Sequence, residues 1–388
     1  MRSLNATVSP LLLKTIGHLA QREGLSDHKL TRAVTDLSHL FTKERTSLGR
    51  PYLEDPVLVS AYLQYFLPVN LSKIQVLLDE MPAPEPSKPF SVLDLGSGPG
   101  TGALAVLDWW HERRHDGVLS VMAVDNASAA LRQAEQLWRH YCRAAEITTA
   151  RLRTFEADVE RGAWLEQVNQ QGPFDLILLS NCLNELSEST EKRVELVASV
   201  LSLLASHGTM MIVEPALRET SRALHQVRDR LLQEKRCTVY SPCLHENSCP
   251  ALVNPDDWCH EERGWDPPAS IQEIDEEVGF IKDALKFSYL LLRKDGKTIV
   301  ERRPDVYRVV SELRELKGEK RVWLCNETGR SEVGRQDRLS SPQNAALDDW
   351  HRGAIVQIER IVRKERGGKV SALGRIEQDA SVQIVRSI

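Results

Sequence analysis

Apolar residues recur every three or four positions in LLLKTIGHLA, HKLTRAVTDLSHLF and VLVSAYLQYFL, so residues 1 to about 88 read as a helical region. Four prolines in MPAPEPSKP (residues 81–89) break that period and read as a linker. The pattern then changes to short, continuously apolar runs separated by amphipathic ones. PFSVLDLGSG predicts a buried strand entering a glycine loop, and GALAVLDWWHERR a helix. SVMAVDNA predicts the second strand, ASAALRQAEQLWRHYCRAA a helix, and RLRTFEADV the third strand. FDLILLSNCLNEL predicts a fourth strand with its loop, EKRVELVASVLSLLA a helix, and GTMMIVEPA a fifth strand. Alternation of this kind predicts an α/β fold with a parallel, doubly wound, Rossmann-like sheet.

After a further helix, SRALHQVRDRLLQEK, periodicity fades over residues 236–279, which are rich in Pro, Cys, Asp and Trp. KFSYLLLRKD and KRVWLCNETG then read as two more strands. The expected organisation is a helical region at 1–88, a Rossmann-like domain at 89–235 and 280–330, and a Cys-rich insert at 236–279 between its fifth and sixth strands. The segment AIVQIERIVRKERGGKVSALGRIEQDASVQIV alternates apolar and polar residues around a Gly-Gly turn, so residues 340–388 read as a small C-terminal β element.

Composition narrows the function classes. The 388 residues are 41% hydrophobic and 27% charged with a net charge of −5, which excludes a globally basic nucleic-acid coat protein. Nucleic-acid contact would have to come from local patches. Candidates are Arg302-Arg303, Lys317 to Arg321, and Arg360 to Lys369, each taken singly more readily read as ordinary solvated surface; residues 351–388 carry eight Lys/Arg against four Asp/Glu. No apolar run approaches the ~20 residues needed to span a membrane, and neither a secretory signal nor an organellar leader is expected from the first residues. In a reducing compartment, seven cysteines read as metal ligands or buried thiols rather than disulfides.

Asp94-Leu95-Gly96-Ser97-Gly98-Pro99-Gly100-Thr101-Gly102 ends the first strand and opens a helix, as a loop that brings backbone close to a ligand should. Thr101 stands where a dinucleotide fingerprint wants Gly or Ala, and the Gly-Lys-Ser/Thr of a P-loop is absent. With Asp94 two residues before the first glycine, the segment resembles S-adenosylmethionine-dependent methyltransferases. That resemblance implies a cradle of Asp94, Gly96, Ser97, Gly98 and Gly100, with Asp125 at the ribose hydroxyls and Asp158 at the adenine amine. Asp158 also reads as a loop cap. The loop Ser180 to Leu186 would face the reacting methyl group, with Asn181 a cofactor contact and Asn181 and Glu185 the catalytic candidates. Glu185 reads equally as a helix-capping carboxylate. SNCLNEL lacks the Asn/Asp-Pro-Pro-aromatic motif of amino methylation. Cys182, without the proline neighbour of a ring-attacking thiol, reads as a buried small residue.

Cys243, Cys249 and Cys259 fall within seventeen residues, and Cys325 lies far downstream. The spacing matches neither a zinc ribbon nor a ferredoxin run, so four thiolates suit zinc or a [4Fe–4S] cluster, with His245 or His260 able to replace a thiol on zinc. The run SPCLHENSCPAL, the Trp-Cys-His at 258–260 and KFSYLLL, preceded by IVEPA, closely resemble a family of methyltransferase-like assembly factors. Its best-known members act on the mitochondrial small ribosomal subunit, and bacteria carry relatives. The resemblance covers roughly residues 50–355. It implies a [4Fe–4S] cluster on Cys243, Cys249, Cys259 and Cys325, and a class I methyltransferase sheet carrying S-adenosylmethionine. It also implies a monomer whose partners are small-subunit ribosomal RNA and the assembling small subunit, cytoplasmic in a bacterium or mitochondrial in a eukaryote. Three readings follow: a ribosomal RNA methyltransferase, a non-catalytic assembly factor that keeps both groups structurally, and a zinc-stabilised methyltransferase of a small molecule or protein.

Overall fold

The computed structural model describes residues 8–387 apart from 21–25, 43–54, 163, 188 and 281–282. The first part is helical, as its periodicity predicts: α1 (Pro10–Ala20), α2 (Asp27–Thr42), α3 (Pro56–Ala61), a π-helical turn (Tyr62–Phe66) and α4 (Leu67–Glu80). Asp55 caps α3 by accepting Val57 N at 2.8 Å, with Pro56 in the first turn, where its missing N–H costs nothing. Leu12, Ile16, Leu37, Leu71 and Ile74 are fully buried in one core shared with the main sheet. A buried carboxylate joins the layers. Asp108, in the helix after the first strand, accepts from Ser9 N at 3.1 Å, Gln75 Nε2 at 2.7 Å and the Tyr141 hydroxyl.

The main sheet contains β1 (Phe90–Leu95), β2 (Leu119–Asp125), β3 (Ala150–Glu156), β4 (Phe174–Ser180), β5 (Leu204–Pro215), β6 (Thr238–Ser241), β7 (Glu261–Gly264) and β8 (Ala284–Arg293). Its order is β3-β2-β1-β4-β5-β8-β6, with β7 also paired to β8. β1 to β5 run parallel, and β8 enters antiparallel between β5 and β6. Alternating with them are α5 (Thr101–Glu112), α6 (Ser128–Ala144), α7 (Trp164–Asn169), α8 (Thr190–Leu201), α9 (Arg218–Gln233) and α10 (Ala269–Val278). A parallel sheet whose penultimate strand is reversed is the Rossmann-like sheet of class I methyltransferases. β3 forms one edge, where exposed Arg151 and Arg153 discourage further strand pairing.

The second sheet holds β9 (Val306–Val309), β10 (Arg314–Leu316), β11 (Glu319–Asn326), β12 (Gly329–Gln336), β13 (Ile355–Ile358), β14 (Val362–Arg366), β15 (Lys369–Arg375) and β16 (Val382–Arg386). β9 with β10, β13 with β14, and β15 with β16 each form one bent strand, so five strands result. The first pairs with the second, the second with the third, the third parallel with the fifth, the fifth with the fourth, and the fourth with the first. That ring closes a barrel, with a helical link between the third and fourth strands, and it is the topology of the OB-fold. Val309, Val322, Leu324, Val333, Ile358 and Ile376 fill it.

Two expectations change. The segment expected between the fifth and sixth strands itself contains β6 and β7, and Cys243, Cys249 and Cys259 lie between those two. KRVWLCNETG is not the last strand of the Rossmann-like sheet; it is β11, the second strand of the barrel. The β element expected at 340–388 is the second half of that barrel. An isolated four-residue β6 and a barrel closed by pairings 40–60 residues apart leave little trace in local periodicity. Among the described residues, no helix is long and apolar enough to cross a membrane.

Candidate cofactor cleft and cysteine cavity

The glycine loop lies at the carboxyl ends of β1 and β2, where open α/β sheets hold ligands. Gly96 (φ +65°), Gly98 (φ +52°) and Gly100 (φ +88°) take left-handed backbone that other residues avoid. A Cβ on Gly96 would stand 2.5 Å from Cys182 Cβ, whereas nothing lies within 4 Å of one on Gly98, so the loop is closed beneath and open above. Asp125 shapes it by accepting Gly98 N at 2.8 Å through one oxygen and Ala127 N at 2.8 Å through the other. Burial raises the Asp125 carboxyl against those backbone hydrogen bonds. Asp94 is buried beneath and accepts Ala103 N at 2.9 Å, tying β1 to the first turn of α5. Burial lifts it to about 7, opposed by the Ala103 bond and reinforced by Asp125. Ser97 is buried with its Oγ lacking a protein partner, a polar atom left over for a ligand.

The other predicted positions divide. Asp158 caps a 3-10 turn through Glu160 N at 3.0 Å and pairs with Arg161 at 3.1 Å, so the cap reading describes its side chain. Asn181 holds a left-handed backbone (φ +57°) at the end of β4, with its N–H on Val213 O at 2.7 Å; such strain in a non-glycine residue is typical of functional turns. Glu185 is exposed, and the N-cap of α8 is Ser189. Burial, then the charges of Glu214, Glu185, Asp94 and Asp125, push the Cys182 thiol well up, and its Sγ donates to Leu95 O at 3.2 Å. Such a thiol is no nucleophile near neutrality.

Tyr62 and Thr101 were not predicted here. The π-helical turn carries Tyr62 across to the cleft, where its hydroxyl lies 3.3 Å from Thr101 Oγ1. Burial raises its phenol against bonds from Thr101 and Asn70, with the charges of Glu185 and Asp125 adding to the rise. YLQYF reads as ordinary helical core, and nothing in it announces the extra residue of a π turn.

The insert sits beyond the carboxyl end of β5, on the same edge as the cleft. Arg222, one turn into α9, clamps it by donating to the carbonyls of Ala251, Leu252, Asn254 and Asp257 at 2.7–3.2 Å. Arg228, fully buried in α9, donates to His245 O at 2.6 Å and Asn247 O at 2.8 Å, and Asp229 accepts Cys249 N at 2.8 Å. These bonds fold the insert around one cavity whose wall includes Cys243, Cys249, Cys259 and Cys325, the last supplied by the barrel. The structure therefore brings the four predicted thiols together. Burial, then the neighbouring thiols, push Cys249 and Cys325 well up and Cys259 up to about 11. His245 donates through Nδ1 to Asn247 O at 3.1 Å and turns Nε2 toward Cys325 Sγ at 3.6 Å; burial lowers it to about 4, so it is neutral. His260 instead pairs with Glu262 at 2.8 Å.

Among the described residues, no three His, Cys, Asp or Glu side chains converge tightly enough for a single metal ion. The cavity leaves about 40 Å³ free for the centres of water-sized particles, roughly three times what one water needs. Arg308, Arg330 and Arg352 line it, and each keeps a buried nitrogen without an acceptor. Thiols spread around a multi-atom space edged with unused donors fit a group that brings its own acceptors, as a cluster's sulfides do, better than a lone ion.

Sheet order and glycine loop together define a methyltransferase-like protein of class I. By sequence the chain belongs to the family described as mitochondrial small ribosomal subunit Rsm22, whose model matches residues 56–335. No curated protein matches it by sequence. Among solved structures it is similar to an S-adenosylmethionine-dependent methyltransferase of Leishmania major (12% identity, 63% of this chain and 78% of that one, TM-score 0.36). It is also similar to fibrillarin of Aeropyrum pernix with natively bound S-adenosyl-L-methionine (12% identity, 57% and 76%, TM-score 0.32).

Proposed function

We propose that this protein binds S-adenosylmethionine at the glycine loop and a [4Fe–4S] cluster in the cysteine cavity, and acts on small-subunit ribosomal RNA during ribosome assembly. Family membership is the observation that carries the ribosomal part. The site would follow the small subunit, in the cytoplasm of a bacterium or the mitochondrion of a eukaryote, with the protein a monomer. S-adenosylmethionine supplies an activated methyl group. Gly96, Ser97, Gly98 and Gly100 would cradle it, Asp125 would accept its ribose hydroxyls, and Asp94 would hold the loop in place from beneath. Asp158 would meet the adenine from the end of β3. Asn181 would present its backbone and amide to the methyl side of the cleft, with Glu185 able to orient or deprotonate an acceptor there. Gly98→Arg is expected to abolish S-adenosylmethionine binding in calorimetry with the fold intact by circular dichroism. Unchanged affinity would remove the cofactor from this loop.

The barrel supports an RNA partner, because OB-folds take oligonucleotides across their second and third strands. On that face Trp323 is half-buried, with the Arg330 guanidinium 5.3 Å from its ring centre and Arg321 two residues away. Base stacking on such a platform is worth about 1–3 kcal/mol per base. Trp323→Ala is therefore expected to weaken single-stranded ribosomal RNA binding about 5- to 150-fold in a filter or anisotropy assay, and an unaltered affinity would place the RNA elsewhere.

A second reading, a non-catalytic assembly factor, is favoured by the loop after β4, where SNCLNEL carries no amino-methylation motif and Cys182 turns its thiol onto Leu95 O at 3.2 Å. Mapping methylated bases in ribosomal RNA from a deletion strain separates the two. A lost methyl mark, restored by the wild-type gene and not by Gly98→Arg, identifies an enzyme; a complete set of marks identifies an assembly factor.

A further inference from the structure

The charged residues behind the cysteine cavity form one buried network. Glu80 of α4 accepts Arg263 Nη2 at 2.7 Å and the hydroxyls of Ser241 and Tyr289. Glu261 accepts Arg263 Nη2 at 3.2 Å and also Arg308 Nη2, which reaches Tyr289 OH at 2.9 Å. Two carboxylates thus face two guanidiniums, all nine-tenths or more buried, at the junction of the helical region, the insert, β8 and the barrel.

Within that network Arg308 is singular. On β9 it stands directly opposite Cys325 of β11 in the antiparallel register, so the two side chains leave the same face of the barrel as neighbours. Its Nη2 is committed to Glu261 and Tyr289, yet its Nη1 is buried without an acceptor. Among the described residues it is the one buried terminal guanidinium nitrogen in that condition. The other arginines on the cavity wall are occupied at their ends: Arg330 by Asp257, and Arg352 by Val310 O at 2.7 Å and Glu262. A buried cationic N–H without a partner is costly and rare, and its presence on a cavity wall points to a missing acceptor.

We infer that Arg308 is a hydrogen-bond donor to the cluster, giving its Nη1–H to a cluster sulfur or to the Cys325 thiolate while Nη2 stays on Glu261. The inference rests on the cluster reading above. It gives Arg308 two tasks at once: it ties the barrel to the insert and β8 through Glu261 and Tyr289, and it sets the electronics of the group those elements enclose. Charge-assisted bonds are roughly twice as strong as neutral ones, and hydrogen bonds to cluster sulfurs are one of the terms that set reduction potential. Glu80 and Glu261 balance Arg263 and Arg308 in the intact network, so Arg308→Lys, which keeps the charge, separates a directed bond from net charge.

The test uses full-length protein reconstituted without oxygen, as wild type, Arg308→Met, Arg308→Lys and Arg263→Met. Arg263 shares Glu261 with Arg308 and also holds Glu80, but is absent from the cavity wall, so it controls for damage to the network. Arg308→Met is expected to lose iron to a chelator about 10- to 100-fold faster, the usual cost of deleting a partner that supports a metal centre, and to show a more negative midpoint potential. Arg308→Lys, should Arg308→Met fail to fold, is expected to shift the potential in the same direction by less. Arg263→Met is expected to keep the wild-type potential. Wild-type iron loss and potential in the folded Arg308 variants, or an equal change in Arg263→Met, would overturn the contact while leaving the cluster standing. Wild-type protein reconstituting without iron and sulfide would overturn the cluster itself.

Discussion

Cys325→Ser protein purified without oxygen is expected to be colourless and free of iron, where the proposed cluster would make the wild type brown. Three thiols of the cavity come from the insert, and only Cys325 comes from the barrel. Losing it removes a ligand and also the sole thiol that joins the two. Structural metal sites contribute folding free energy on the order of 10 kcal/mol, and the insert has little regular structure besides β7 and α10 to hold it otherwise. Proteolysis should therefore begin within residues 242–260, whereas the melting of the Rossmann-like sheet, whose core lies largely elsewhere, should change little. Full iron content in Cys325→Ser would show that the ligand set is wrong.

Glu80→Ala should destabilise the protein by about 3–5 kcal/mol, because it strips a buried ion pair of one partner and leaves a guanidinium uncompensated. The consequence reaches the insert and the main sheet together, since the Glu80 carboxylate receives Arg263 from the insert and Tyr289 from β8. Burial alone would raise the Glu80 carboxyl; Arg263 and Arg308, with the Ser241 and Tyr289 hydroxyls, more than offset it and hold the group below the ordinary carboxylate range. A depressed folded-state pKa means that its stabilisation is complete above about pH 4.5, its unfolded value, and is lost as pH falls through the folded one. Chemical denaturation of wild type and Glu80→Ala should thus differ most near neutrality and converge in acid. A constant difference down to the lowest pH would show that the carboxylate charge is not what matters.

Legibility in the sequence followed locality. β1, β2, β4 and β5 are mostly apolar runs ending in turn chemistry, and their alternation with helices and the glycine loop could be read directly. The four thiols could be grouped from their positions as a metal or cluster set, and resemblance chose the cluster; what stayed hidden is that Cys325 reaches the others by the closure of a barrel whose strands pair across long loops. That barrel was half visible as an alternating tail; its second strand, KRVWLCNETG, looked like a continuation of the Rossmann-like sheet, since a strand's pattern does not say which sheet it joins. Tyr62 was hidden because a π turn has the same apolar spacing as a helix. Arg308 did leave a sign, a single charge inside the apolar run Val306, Tyr307, Val309 and Val310, which is where a buried, partnered arginine would stand.

Crosslinking the full-length protein to RNA in living cells and sequencing what is recovered tests the central claim most directly. The account predicts small-subunit ribosomal RNA, with crosslinks near Trp323 and the cleft bounded by Asn181 and Tyr62. Recovery of no ribosomal RNA above background, from cells assembling ribosomes normally, would contradict it.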